Sequence, residues 1–179
     1  MITRWPRPRS TPLFFYALGD RWGSGTAYRY LGVAALAQGD VPRAQAMLRK
    51  RLEIFGGFVI GWDIVRSQIY LGDAVRAAGD LDGAHAMLRQ ALDEALAVHA
   101  VPLAIDALAA LAGLVQPADP VVAAGLVAFV LQHPMCAHES RERVEGLWAR
   151  YTAALPEAQL TAARCWATAQ TLETVVEVV

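Results

Sequence analysis

The chain has 179 residues, a formal net charge of -1 and 55% hydrophobic residues. That is enough apolar chain for one domain with a real core or for a short array of repeats, and it excludes a disordered polymer. The near-neutral balance argues against nucleic acid as the main partner. The longest apolar run, Val121 to Leu131, has 11 residues and is far short of a membrane span. Cys136 and Cys165 give neither a disulfide framework nor a CxxC pair, and the start lacks the apolar stretch of a signal peptide. The expectation is a soluble, cytoplasmic protein.

Taken from the start, residues 1–21 read as a Pro/Arg-rich leader or the stub of an upstream region, with Arg4, Arg7 and Arg9 among prolines. Gly23-Ser24-Gly25 opens the first clear helix, with Ser24 as its expected cap. Gly39-Asp40 ends that helix and caps the next, expected from about Val41 to Ile54. Pro42 falls where its missing N–H does no harm. A helix from about Trp62 to Ala78, a second Gly79-Asp80 turn and a helix to about Val98 repeat this arrangement.

The repeat is explicit in the residues. Tyr30-Leu31-Gly32, Gly39-Asp40, Ala44 and Ala46-Met47-Leu48-Arg49 return 40 positions later. From Tyr30 to Leu52, against Tyr70 to Leu92, 13 of 23 positions are identical. Self-similarity at this period is the signature of stacked helical units. A fainter third copy keeps the register: Leu111 answers Leu31 and Leu71, Ala124 answers Ala44 and Ala84, and Asp119-Pro120 stands at the turn. Its helices are expected over about Leu103 to Val115 and Pro120 to Leu131. Small residues at Gly32, Ala44, Gly72 and Ala84 let paired helices approach closely, with Leu31, Leu48, Leu71 and Leu88 filling the space around them.

After His133-Pro134 the period is lost. Ser140 to Ala154 reads as an amphipathic helix with Val144, Leu147, Trp148, Tyr151 and Leu155 on one stripe. Pro156 starts another helix to about Ala169, and Thr171 caps a short last one. The whole is an all-α reading: three helical hairpins over 22–137 and an irregular helical cap over 138–179.

The pattern of Tyr28, Leu31, Gly32, Gly39, Ala44 and Leu48, then Leu71, Gly72, Gly79, Ala84 and Leu88, resembles the tetratricopeptide repeat. Gln68 departs from it at the first large position of the second unit. The unit is longer than the usual repeat, as in bacterial regulators similar to the maltose-regulon activator. Leu18-Gly19-Asp20-Arg21-Trp22-Gly23, the Gly-Asp turns and the ending from Ala167 to Val179 resemble the C-terminal arm of LuxR- and AfsR-type signal-transduction ATPases. In its final motif, Thr171-Leu172-Glu173-Thr174, Thr174 stands where those relatives carry a second Glu.

The resemblance implies a right-handed superhelix of antiparallel helix pairs (an α-solenoid). It implies a non-catalytic arm for protein–protein interaction or intramolecular sensing in a transcription or signalling regulator. The partner would be a protein or peptide, such as the upstream NTPase domain of a parent protein, with no direct nucleic-acid or membrane contact and no cofactor. The chain has no GxxxxGK[ST] motif, so ATPase activity is not carried over. The family's groove positions fall on Thr26, Arg29, Val33, Leu36, Arg66, Ile69, Asp73, Arg76, Asp106 and Ala109. Arginines among small apolar residues there suit an acidic or amphipathic peptide.

Other constellations are weaker. His133, Cys136 and His138 lack a fourth ligand nearby, against the four that structural zinc needs. Cys165, beside Trp166, is expected as a buried structural thiol, and His85 and His99 as residues on helix surfaces. Glu139, Glu142 and Glu145 read as a solvated face near a helix N-terminus. The alternatives are a small helical enzyme with a spatially assembled His/Glu/Cys site, or a structural fragment of a larger ATPase regulator.

Overall fold

The computed structural model describes residues 11–55, 61–114 and 119–179, and all regular structure among them is helical. Ten helices follow in order: α1 Thr11–Ala17, α2 Arg21–Ala37, α3 Val41–Phe55, α4 Trp62–Ala77, α5 Leu81–Ala97, α6 Val101–Leu111, α7 Pro120–Gln132, α8 His138–Ala154, α9 Glu157–Ala169 and α10 Leu172–Val176. They fall into two compact units, Met1–Ala84 and His85–Val179, with the division inside α5. No helix among the described residues is long and apolar enough to cross a membrane.

The turns follow from residue chemistry. Gly19, Gly39 and Gly79 each have positive φ (73°, 74° and 90°), a conformation that glycine adopts without a Cβ penalty. The aspartate after each glycine caps the next helix. Asp20 accepts from the Gly23 N–H at 2.8 Å, Asp40 from Arg43 at 3.3 Å and Asp80 from Gly83 at 2.8 Å. Asp119 does the same for α7, accepting from the Val121 N–H at 2.8 Å.

Several expectations are corrected here. Asp20, not Ser24, caps α2, because the helix begins earlier than the Gly23-Ser24-Gly25 signal suggests. Ser24 is buried inside it, and its hydroxyl donates to the Asp20 carbonyl at 2.9 Å and to the Pro12 carbonyl at 3.2 Å. The second half of the expected leader is therefore a helix, α1, packed on α2. Residues Arg4, Arg7 and Arg9 lie outside the described residues. The helix expected to reach Val115 ends at Leu111, and Val115 itself also lies outside them.

In the first unit, α2 packs on α3, α3 on α4 and α1 on α2, with α2 also touching α4. Gly32 makes the α2–α3 approach possible: a Cβ there would stand 2.6 Å from Leu48 Cγ. Ala35, Ala44, Leu48, Val65 and Ile69 are buried around that seam. The Gln45 side-chain amide donates to the Ala74 carbonyl at 3.1 Å and ties α3 to α4.

In the second unit, α7 packs chiefly on α9 and also on α8, α8 packs on α6, and α6 and α7 share a smaller contact. Gly125 admits the Trp166 indole, since a Cβ there would lie 2.5 Å from Trp166 Cε3. Leu126, Val130, Val144, Leu160 and Ala163 are buried. The Ser140 hydroxyl donates to the Asp106 carboxylate, joining α8 to α6. At the end, Thr171 and Thr174 form a reciprocal capping box on α10. The Thr in place of the resembled family's Glu thus still closes the cap.

Candidate functional site

The groove residues divide between the two units. Thr26, Arg29, Val33 and Leu36 lie half-buried on α2, and Arg66 lies half-buried on α4. Arg76 is exposed, 3.7 Å from the Asp73 carboxylate one turn earlier. Ile69 and Asp73 are buried and offer no free surface. In the second unit Ala109 is likewise buried, and half-buried Asp106 is engaged by Ser140.

The most distinctive chemistry in the first unit lies where the start of α2, the end of α3 and the start of α4 meet. Arg51, on α3, is fully buried. Its Nε donates to the Ser67 hydroxyl on α4 at 2.8 Å, and that hydroxyl donates to the Asp63 carbonyl. Its guanidinium carbon lies 4.7 Å from the centre of the Phe55 ring. Gly25 on α2 leaves the space these groups occupy: a Cβ there would collide with the Phe55 ring and come within 2.7 Å of Arg51 Nη1.

Arg51 Nη1 and Nη2 and the Nε of Arg29 are buried without a hydrogen-bond partner. Burial lowers the Arg51 pKa, the neighbouring Arg29 charge adds to that, and Asp63 opposes it. An arginine starts so far above neutral that it stays charged.

A pocket of about 600 Å³ opens beside this cluster, lined by Arg21, Trp22, Phe55, Gly61, Trp62, Asp63 and Ile64. Trp22 meets Phe55 edge-on at 5.5 Å, and Trp22 and Trp62 are both largely exposed. Arg21 is held at the rim by donating to the Ile54 carbonyl at 2.6 Å. The groove transfer named Arg29 but missed Arg51, Ser67 and the tryptophans. A signal was present: the repeat partner of Arg51 is Ala91, so the charge breaks the period at a core position.

The remaining candidates are placed individually. His133 Nδ1 accepts from the Met135 N–H at 3.2 Å and its ring lies 5.6 Å from Phe129; burial lowers its pKa. His138 pairs with Glu142 at 3.3 Å. Burial raises the pKa of the Cys136 thiol. Among the described residues no group of His, Cys, Asp or Glu has the arrangement to hold a metal ion. Glu139, Glu142 and Glu145 are exposed and His85 is half-buried.

Two of these expectations change. Cys165 is exposed rather than buried, because Trp166 and Ala163, not Cys165, face inward from α9. His99 lies in the turn after α5, with φ 53°, rather than on a helix surface.

No family model matches the chain, and no curated protein or solved structure compared with it matches either.

Proposed function

We propose that the protein is a helical-repeat interaction arm: a right-handed superhelix of antiparallel helix pairs, similar to tetratricopeptide repeats, that binds a protein or peptide without catalysis. The observation that carries this reading is the recurrence of one turn, Gly-Asp with a left-handed glycine and a capping carboxylate, at positions 19–20, 39–40 and 79–80. Stacked units of that kind expose long helical surfaces suited to extended partners. Exposed Arg76 and half-buried Arg66 on α4 favour an acidic segment, in keeping with a signalling role in the cytoplasm.

The test is recovery of partners from a lysate of the source cell with the wild-type chain and with Arg66→Glu/Arg76→Glu, followed by direct titration of each purified partner. The double reversal is expected to weaken a genuine groove partner at least tenfold. Unchanged recovery and unchanged affinity would remove the groove from consideration.

A further inference from the structure

We propose that the Arg51–Arg29 cluster and the adjoining aromatic pocket form a binding site for an organic monocarboxylate with an apolar body. This goes beyond an interaction arm, because it names a ligand for one pocket and stands whether or not the helices carry a protein partner.

The argument begins from charge. Arg51 is fully buried, yet Nη1 and Nη2, the two nitrogens at the open end of its fork, have no acceptor, and neither does the buried Nε of Arg29. Buried donors in folded proteins are nearly always satisfied, and a buried charge left unpaired is strongly destabilising. Ser67 uses only the Arg51 Nε. The two free nitrogens match the two oxygens of one carboxylate, the pairing for which guanidinium geometry is best suited.

The neighbourhood limits the anion's charge. Arg29, Arg51 and the pocket-lining Arg21 supply three positive charges, and Asp63, which acts on Arg51 electrostatically, supplies one negative. The surplus of positive charge fits an anion, and repulsion from Asp63 at the pocket wall favours a monoanion over a dianion such as phosphate. The ligand's body is set by the walls. Trp22, Phe55, Trp62 and Ile64 make an open apolar hollow of about 600 Å³, within the volume range of small-molecule sites. Phe55 both lines the pocket and stacks on Arg51, so this ring forms the wall shared by the guanidinium and the cavity.

The experiment is calorimetric titration of the full chain with 3-phenylpropionate and, in parallel, with 3-phenylpropan-1-ol. The tripeptide acetyl-Gly-Gly-Phe, with a free or an amidated C-terminus, distinguishes a small acid from a peptide end as the source of the carboxylate. Saturable binding of an acid at least tenfold tighter than its neutral counterpart is expected. Asp63→Asn should tighten acid binding several-fold, and Arg51→Met should abolish it. Arg51→Met is read only if its helical circular dichroism matches wild type. Asp63→Asn, which leaves the buried arginines in place, gives an independent reading of opposite sign. Equal binding of acid and alcohol, no binding of either acid, or no gain from Asp63→Asn overturns the proposal.

Discussion

In the turn after α5, His99 takes the left-handed position that Gly19, Gly39 and Gly79 take in theirs. With φ 53° it occupies the left-handed region, which costs a residue with a Cβ about 1–2 kcal/mol. Gly39, at φ 74°, avoids that cost, and a Cβ added there would meet nothing within 4 Å. The two positions therefore give opposite expectations from one cause. His99→Gly should stabilise by about 0.5–1 kcal/mol, the backbone relief being partly offset by the freer unfolded chain. Gly39→Ala should destabilise by about 1–2 kcal/mol without any steric clash. Urea unfolding of both variants checks the pair, and the same sign for both would be incompatible with a conformational origin. The glycine turns were legible from Gly39-Asp40 and Gly79-Asp80, whereas His99 was not, since histidine's enrichment at positive φ is too weak to mark a turn as glycine does.

Among the elements, glycine serves a second purpose that depends on the partner helix. Gly125 on α7 lies against the Trp166 ring of α9, and a Cβ there would intrude to 2.5 Å from Cε3. Gly125→Ala should cost about 1–3 kcal/mol by overpacking. Replacing Trp166 by Leu empties the contested space but loses buried aromatic surface. In the double variant the alanine should then cost little, giving a coupling energy of about 1 kcal/mol or more in a double-mutant cycle. Additive losses would show that Gly125 matters for another reason.

This packing also shows the reach of sequence reading. The period of 40 placed the helices to within a few residues, because each boundary is a local matter of caps, glycine and proline. It also led to the small residue at Gly32. It could not reveal that α7 packs chiefly on α9, since that contact lies beyond the repeats, nor that Arg51 is buried. Charge at a helix position ordinarily signals solvent, and only the neighbours Gly25, Phe55 and Ser67 turn this one inward.

At the scale of the whole molecule, Arg89 makes polar contacts far along the chain. From α5 its Nη1 donates to the carbonyls of Val176 and Val179, both at 2.7 Å, while its Nε lies 3.3 Å from Asp93. These bonds span 87 and 90 residues of sequence and hold the carbonyls at and beyond the end of α10. A helix of five residues has too few internal hydrogen bonds to persist alone, so α10 depends on its buried Val175 and on this arginine. Hydrogen bonds from a charged donor contribute about 1.5–3 kcal/mol, and exposure of one partner lowers that figure here. Arg89→Ala should therefore leave most of the second unit folded while amide exchange across Leu172–Val179 rises about tenfold, the equivalent of about 1.4 kcal/mol of local opening. Arg49, the same residue one period earlier, is exposed, and Arg49→Ala is the matched control expected to change nothing in that segment. Equal exchange in the two variants would show that Val175 alone holds the helix. Faster exchange only with Arg89→Ala would show that one copy of the repeated arginine has become the clasp for the end of the chain.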